Sequence, residues 1–400
     1  MADNIILVHH SEIVLKGRKR RYFEKLLIHN MSYVLGKKYR ISADENRLVV
    51  DYQDLITDET YERLARIAGV SSFSPALRCD PSLDSIREAS LKILEGSTFS
   101  TFAVDAKRAY KNHPYTSQDV KKYVSEAIIS TYHARPDYRS PELRLYVEVT
   151  KEHGYVYRDK RRGLGGLPVG SSGRVLMLLS GGIDSAVSSI MLIRRGCRLD
   201  YLHFHPYRDA DEALKARIGM LASQLTTYGL RSHLFMAPFT PFYRRILSEG
   251  SKLEVPLFRR YMFEVADRLA GQYSARALAT GDSLAQVASQ TLSNLAAAEH
   301  TVSRPVLRPL IGFSKEEITR MAETWGLSWL TRKEYKDCCS ILGRHPVTSS
   351  SFEKVDDMWR RLGIGDAVAE TLEELEIYKV TYRAGIMKMD RLTTLQQNMG

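Results

Sequence analysis

Short apolar stretches alternate with amphipathic segments along the first 165 residues. Within residues 1–75, the strand-like "NIILVHH" and "ENRLVVDY" alternate with the helical "RRYFEKLLIHNMSYVLG" and "TDETYERLARIAG". This β-α-β-α order predicts a small ferredoxin-like module. Residues 76–165 repeat the pattern, with the strands "STFAVDAKR" and "LRLYVEVT" on either side of a helix that Thr116 or Ser117 caps. Two small α+β units in tandem are therefore expected.

The pattern changes after residue 165. Residues 166–173 belong to a stretch rich in glycine and serine, where we expect a linker. For residues 174–400, alternating aliphatic strands and helices predict an α/β domain with a parallel sheet and helices on both faces. A capped helix should follow Ser314, and residues 350–400 should be mainly helical. The other expected elements are strands 174–180, 198–205, 231–238 and "ALATGD", and helices 185–196, 211–229, 256–271 and 283–299.

The length of 400 residues suits two or three domains. No apolar run reaches the roughly 18 residues of a membrane span, and the N-terminus lacks the pattern of a signal peptide. We therefore expect a cytoplasmic protein that does not bind membranes.

The net charge is +11, and the excess lies in short basic stretches such as "KGRKRR", "KRAYK" and "RDKRR". A basic field attracts polyanions through phosphate contacts and counterion release, although lysine and arginine also cover ordinary solvated surfaces. We interpret the two basic α+β units as a nucleic-acid-binding front end. The candidate RNA-binding residues in these units are Lys16, Arg18, Lys19, Arg20, Arg21, Lys107, Arg108, Lys111, Arg161 and Arg162.

The stretch "LLSGGIDS" ends the first strand of the α/β domain and begins its first helix. Ligands of parallel α/β folds bind beyond the carboxyl ends of the strands, and free N–H groups at a helix start attract anions. Glycines let the backbone approach such an anion closely. The lysine of a Walker A loop is absent, and so is the G-x-G-x-x-G pattern of dinucleotide-binding folds. The loop therefore predicts an anion site of another kind.

The S-G-G-x-D-S form resembles the PP-loop of ATP pyrophosphatases, which cleave ATP between the α- and β-phosphates. This resemblance implies that the loop cradles pyrophosphate and that Asp184 holds Mg²⁺ or orients the phosphates. The remaining ATP-binding residues that it implies within the loop are Ser180, Gly181, Gly182 and Ser185.

Several further stretches, in order, resemble one family from end to end. They are "SEIVLKGRKRRYFE", "KRAYKNHPYTSQDV", "GLGGLPVGSSGRVLMLLSGGIDSAV", "HFHP", "TGDSLAQVASQTLSNL", "RPLIGFSKEEI" and "DCCSILGRHPVT". The chain is similar to the tRNA 4-thiouridine synthetases, or tRNA sulfurtransferases. That family joins a ferredoxin-like domain (here 1–75), a THUMP domain (76–165) and, after the linker, a PP-loop domain (174–400). The implied activity is ATP-dependent conversion of a tRNA uridine, at position 8, to 4-thiouridine.

The resemblance also implies ATP contacts outside the loop. For His203 the alternative is a satisfied residue at a strand end, and for Arg259 it is a surface ion pair. Lys315 begins a helix, where the helix dipole disfavours a cation, so it suits a phosphate or RNA contact or a solvated position. The implied ATP contacts outside the loop are Leu178, Leu179, His203, Phe204, Arg259, Gly281 and Gln290.

The four cysteines are too scattered for a disulfide framework, and no C-x-x-C pair suggests a metal site. By resemblance, Cys339 carries the sulfur as a persulfide, and Cys338 is its neighbour that resolves the persulfide. The alternative assignment exchanges the two roles, and a further one makes both cysteines structural. Cys197, at the end of an apolar helix, is expected in the core.

Some family members carry a C-terminal rhodanese domain with a second reactive cysteine, for which this sequence leaves no room after residue 400. We therefore expect a short form that receives sulfur directly from a cysteine desulfurase, and a homodimer would suit two separate RNA-contacting regions. Rival interpretations are an RNA 2-thiolase, an amide-forming synthetase, a non-catalytic RNA-binding protein and a THUMP-linked methyltransferase. The basic N-terminal units argue against an amide-forming synthetase. The intact loop argues against a non-catalytic RNA-binding protein with a decayed nucleotide site.

Overall fold

The computed structural model describes residues 3–53, 56–247, 249, 252–331, 335, 338, 341–342 and 350–392. The chain forms two compact units, Met1–Pro168 and Val169–Gly400. The division falls inside the predicted linker. Each unit has its own sheet.

The first unit is built on one sheet with the strand order β2-β3-β1-β4-β8-β7-β5-β6, and β9 pairs with β4. Its strands are β1 (Asp3–His9), β2 (Tyr39–Asp44), β3 (Arg47–Tyr52), β4 (Ser72–Cys79), β5 (Thr101–Arg108), β6 (Arg135–Pro136), β7 (Leu143–Val149), β8 (Gly154–Tyr157) and β9 (Arg161–Arg162). Its helices are α1 (Arg20–Leu35), α2 (Asp58–Arg66), α3 (Leu83–Leu94) and α4 (Ser117–Tyr132), and a 3₁₀ segment, Glu12–Lys19, precedes α1.

The two predicted α+β modules share this sheet. Strand β4 runs across residue 75 and pairs antiparallel with β8, with Leu77 opposite Val156. The hairpin strand β2 and helix α3 were not expected from the sequence. Helix α4 begins as predicted, because Thr116 and Asp119 cap it reciprocally in a capping box.

The second unit has the strand order β14-β13-β10-β11-β12-β15-β16. Its strands are β10 (Arg174–Leu178), β11 (Arg198–His205), β12 (Arg231–Pro238), β13 (Ala277–Ala279), β14 (Val306–Leu307), β15 (Glu376–Arg383) and β16 (Ile386–Leu392). Its helices are α5 (Ile183–Arg194), α6 (Ala210–Ala213), α7 (Gly219–Gly229), α8 (Thr240–Ile246), α9 (Glu254–Gln272), α10 (Leu292–Glu299), α11 (Lys315–Thr324), α12 (Phe352–Arg361) and α13 (Ile364–Glu374).

The strands from β10 to β14 are parallel to one another, with helices on both sides of the sheet, which confirms the predicted fold class. After β12 the chain crosses to the other side of β10 to form β13. In doubly wound sheets, such a reversal opens a crevice beyond the carboxyl ends of the two strands concerned. The loops after β10 and β13 therefore meet at one edge of the sheet.

Two predictions for this unit were wrong in part. The helix expected over 283–299 begins only at Leu292, where Thr291 caps it, because the preceding residues form an irregular segment tethered to the chain after β14. The helix expected through the C-terminal part ends at Glu374 and gives way to the antiparallel hairpin β15–β16. Positive φ angles at Ala384 and Gly385 fit the type I′ turn that two-residue hairpins prefer.

Within the described ranges, no helix combines the length and the apolar character that crossing a membrane requires.

Candidate active site

The loop Ser180–Ser185 follows β10 and leads directly into α5. Gly182 is the N-cap of α5 and offers no capping side chain, so the first N–H groups of the helix have no partner within it. These donors and the positive end of the helix dipole favour an anion. The geometry is that of the anion cradle expected from the sequence.

Two serines hold the loop in shape. Ser185 is 2% exposed, and its hydroxyl lies 3.0 Å from that of Ser180 and donates to the Ser180 carbonyl oxygen at 3.1 Å. The Ser180 hydroxyl accepts the N–H of Gly182 at 3.3 Å. The serine pair therefore fixes the loop as well as lining the site.

Gly281 lies two residues after the end of β13 and contacts the same loop. A Cβ atom at this position would lie 2.6 Å from the backbone nitrogen of Ser185. Real Cβ atoms do not approach backbone this closely, so only glycine fits between the two segments. This contact explains why the middle residue of the motif "TGD" is glycine.

Asp282 is the centre of a buried polar cluster beside Gly281. It is 4% exposed and accepts hydrogen bonds from Arg259 at 2.9 Å and Thr280 at 2.7 Å, and Gln290 donates to its other oxygen at 3.3 Å. Burial raises the pKa of this carboxyl, but the Arg259 guanidinium and these hydrogen bonds outweigh burial and lower the pKa. Asp282 is therefore ionised and aligns Arg259 and Gln290 at the site.

A cavity of about 280 Å³ opens between the loop, the Asp282 cluster and apolar side chains of β11 and α9. The predicted ATP contacts outside the loop all line it, together with Ser180, Asp184 and Ser185; Gly181 and Gly182 do not. Its lining residues are Leu178, Leu179, Ser180, Asp184, Ser185, Leu202, His203, Phe204, Phe258, Arg259, Met262, Phe263, Thr280, Gly281, Asp282, Val287, Ser289, Gln290 and Cys338.

The cavity wall offers polar atoms to a ligand. In the part of the chain that the structure describes, Gln290 Oε1 and Arg259 Nε are buried without a hydrogen-bond partner. Such atoms are costly unless a ligand or water satisfies them. An acceptor and a donor beside aromatic walls suit a purine base or its sugar, while the loop suits phosphates. The residues present therefore fit ATP.

Asp184 lies at the mouth of the cavity between two donors. Lys315 Nζ donates to one carboxylate oxygen at 2.7 Å and Gln286 to the other at 3.0 Å. Lys315 thus lies at the loop. A lysine and a carboxylate beside an anion cradle can position phosphates and balance their charge as they separate.

His203 lies behind the loop and is fully enclosed. One ring nitrogen lies 2.8 Å from the Leu179 carbonyl oxygen and the other 2.9 Å from the Tyr335 hydroxyl. Burial lowers the pKa of His203 to about 4. The imidazole is therefore neutral at physiological pH.

Tyr335 and Arg217 enclose the loop from outside. The Arg217 guanidinium donates to the Gly181 carbonyl oxygen at 2.9 Å and lies 5.5 Å from the centre of the Tyr335 ring. A side chain on Gly181 would overlap that ring. Since Tyr335 is three residues before Cys338 in sequence, it links the loop to the segment with the paired cysteines.

The buried neutral His203 predicts a pH-dependent stability. Below its unfolded pKa of 6.5 the unfolded chain binds a proton that folded His203 does not bind until about pH 4, so stability falls with pH in this window. The wild type should lose about 2 kcal/mol more than His203→Gln between about pH 7 and pH 4.5, at 1.4 kcal/mol per pH unit. Urea unfolding at each pH measures this. His300→Gln, at an exposed position, is the control, and equal pH slopes for all three proteins would contradict the prediction.

The cysteines occupy different settings. Cys338 is 2% exposed and lines the cavity, whereas Cys339 lies outside the described residues. Cys197 is buried in the core, as predicted, and burial raises the pKa of its thiol. Burial also raises the pKa of Cys79 to about 12. Neither thiol suits a nucleophile, because only the thiolate attacks.

The basic residues predicted to bind RNA lie mainly on exposed or half-buried positions of the first unit. The Arg108 guanidinium donates hydrogen bonds to the carbonyl oxygens of His113 and Tyr115. These bonds stabilise the loop that contains Lys111. The Arg161 guanidinium stacks 3.9 Å from the centre of the Tyr61 ring. The exposed candidates are Arg18, Lys19, Arg21, Lys107, Lys111, Arg161 and Arg162, and the half-buried ones are Lys16, Arg20 and Arg108.

Comparison with known proteins agrees with this architecture. Residues 170–363 match the family described as thiamine biosynthesis protein (ThiI), residues 5–74 the ThiI ferredoxin-like domain, and residues 81–159 the THUMP domain. A probable tRNA sulfurtransferase of Moorella thermoacetica is 36% identical, covering 96% of this chain and 99% of the relative. One of Brevibacillus brevis is 36% identical, covering 94% and 97%.

The chain belongs to the ThiI family of tRNA sulfurtransferases. Among solved structures, a 4-thiouridine synthetase in complex with RNA and bound ATP matches with a TM-score of 0.83 at 28% identity, covering 94% of this chain and 99% of that one. The family and fold predicted from the sequence are confirmed.

Several residues of this ThiI-family site were not predicted from the sequence. Asp282 stands inside the motif "TGDSLAQVASQ", and its position after a strand could have identified it. Arg217 and Tyr335 are far from the loop in sequence and carry no local motif. Lys315 was predicted as a phosphate or RNA contact, and its ion pair with Asp184 needs the folded chain to be seen.

Proposed function

We propose that this protein uses ATP to transfer sulfur to tRNA, converting the uridine at position 8 to 4-thiouridine. One observation carries the proposal: among the described residues, one cavity is lined both by residues of the pyrophosphate-type loop and by Cys338. Membership of the ThiI family and the likeness to an ATP-bound synthetase–RNA complex support it.

In the activation step, the uridine O4 attacks the α-phosphate of ATP and pyrophosphate leaves. The loop N–H groups and the start of α5 hold the phosphates, and Lys315 offers a cation to the charge that develops on them. Asp184 and the Ser180 hydroxyl are oxygen donors of the type that Mg²⁺ takes together with phosphate oxygens. When bound, Mg²⁺ would neutralise charge on the leaving pyrophosphate.

In the transfer step, the terminal sulfur of a Cys339 persulfide bonds to C4 of the uridine as the bond from C4 to the adenylated oxygen breaks. AMP is released. Cys338 then attacks Cys339, freeing 4-thiouridine and leaving an oxidised cysteine pair, which an external thiol reduces. Cys338 is buried and lines the nucleotide cavity, which supports its proposed role as the thiol that attacks Cys339.

The exposed basic residues of the first unit would bind tRNA through its phosphates and shape, as proteins bind structured RNA. Because the target base lies in a folded tRNA, it would be flipped out to reach the cavity. A cysteine desulfurase is the proposed sulfur donor, a homodimer the proposed assembly and the cytoplasm the proposed location.

The proposal is tested by incubating the protein with ATP, Mg²⁺, bulk tRNA, cysteine and a cysteine desulfurase, which supplies sulfur at the oxidation level of a persulfide. We expect 4-thiouridine to form, seen by its absorbance, with AMP and pyrophosphate in equal amounts. Omitting tRNA should suppress both products of ATP. Release of ADP would contradict the pyrophosphatase-type site, and AMP release without thiolated tRNA would contradict sulfur transfer.

A further inference from the structure

The amino-terminal edge of the second unit's sheet carries a row of arginines. Four neighbouring parallel strands, β13, β10, β11 and β12, each begin with arginine or directly follow one. Together we name these residues the arginine edge: Arg276, Arg174, Arg198 and Arg231. Since adjacent strands are about 4.8 Å apart, the row is about 14 Å long.

The arginine edge is distant from the nucleotide loop. Strand β10 runs from Arg174 to Leu178, and Ser180 follows two residues later. At about 3.3 Å per residue, the edge and the loop are about 20 Å apart at opposite ends of the strands. A ligand at this edge would therefore not occupy the ATP cavity.

The arrangement costs stability unless something balances its charge. Arg174 and Arg198 are direct cross-strand partners, and like charges at such positions destabilise a sheet. Burial, and the positive charges of Arg231 and Arg174, lower the pKa of Arg198. The fold therefore retains a repulsion that an anion would relieve.

Only one carboxylate lies among the described residues that line this place. A cleft of about 50 Å³ is lined by Arg174, Arg198, Asp200, Arg231, Ser232, His233 and Lys379. Asp200 is 2% exposed, lies 3.5 Å from Arg174 Nε and accepts the backbone N–H of His233 at 2.8 Å. The buried Asp200 carboxylate thus orients the Arg174 guanidinium. The arginines and Lys379 outnumber this one carboxylate, so the net charge of the cleft is positive.

We propose that the arginine edge binds consecutive phosphate groups of an RNA backbone. Guanidinium groups match phosphate geometry in a bidentate manner, and a row of this length suits a chain of phosphates better than one ion. That the RNA is tRNA rests on the proposed function. The edge would give the catalytic unit its own grip on the RNA substrate.

The test compares Arg231→Gln/Arg276→Gln with the wild type in tRNA binding over a salt series, without ATP. Both positions are exposed, so the variant should fold. Losing two phosphate contacts should weaken binding roughly 10-fold per contact at about 0.1 M salt, and lower the slope of log affinity against log salt by about 2. Arg244→Gln/Arg361→Gln, whose arginines already pair with Glu370 and Glu249, is the control and should bind like the wild type.

Unchanged affinity and salt slope in the edge variant would overturn the proposal. If inorganic pyrophosphate shifts the wild-type melting temperature more than the variant's, while both bind tRNA equally, the edge holds free phosphates and the RNA assignment fails. If the wild type binds tRNA through this edge but makes no 4-thiouridine in the desulfurase-coupled assay, the arginine edge stands and the proposed function fails.

Discussion

Cys339→Ser should make no detectable 4-thiouridine, a loss of at least about 10³-fold, while still releasing pyrophosphate in the presence of tRNA. A serine hydroxyl carries no sulfane sulfur, so the transfer step loses its nucleophile. In the proposed mechanism, the activation step uses the loop and the Asp282 cluster and not the sulfur of residue 339. Quantifying pyrophosphate and 4-thiouridine in the same reaction separates activation from transfer.

Two further cysteine variants sharpen this result. Cys338→Ser should slow turnover with a defect that added reductant relieves, because in the proposed mechanism the Cys338 thiol releases the product from the Cys339 sulfur. Cys197→Ala changes a buried cysteine elsewhere in the same unit and should thiolate normally once folded. Full thiolation by Cys339→Ser, with none by Cys338→Ser, would show that Cys338 and not Cys339 carries the persulfide.

Gly281→Ala should lower the ATP-dependent rate by about 100-fold, since misplacing a site by about 1 Å has effects of that size. The added methyl would lie 2.6 Å from Ser185 N and 2.7 Å from the Asp184 carbonyl carbon, and neither backbone atom can rotate away. The loop and the Asp282 segment must separate, which should also destabilise the protein by about 1–3 kcal/mol. Pyrophosphate release and thermal unfolding measure the two effects.

Gly312→Ala is the matched control. A Cβ at Gly312 would meet no heavy atom within 4 Å, so the same chemical change should leave rate and stability close to those of the wild type. Equal behaviour of the two glycine variants would show that the close approach at Gly281 has no part in shaping the site.

The sequence predicted the parts of the site that depend on local order. Strand β10, the loop and helix α5 are consecutive in the chain, and their glycines and serines require little else to be interpreted. The pair of Asp184 with Lys315 joins residues 131 positions apart, and that of His203 with Tyr335 joins residues 132 apart. Such pairs depend on how the strands are ordered, which a local pattern does not encode.

The wrong helix predictions have a related cause. Residues 284–290 carry helix-compatible side chains, but the chain there is held by bonds such as that from Leu284 N to the Ile311 carbonyl oxygen. Tertiary contacts therefore override local propensity where the chain lines the cavity. In the C-terminal hairpin, buried positions alternate with more exposed ones from Tyr378 to Arg383, a period of two that is typical of a strand.

The pairing of β4 with β8 has a consequence for how the front half of the chain evolves and unfolds. The ferredoxin-like and THUMP sequences contribute strands to one continuous sheet, so separating them would expose two hydrogen-bonding edges to water and to other chains. They should therefore melt together as one cooperative block. If this region were exchanged between related proteins, the fold would be preserved only when the ferredoxin-like and THUMP sequences were exchanged together.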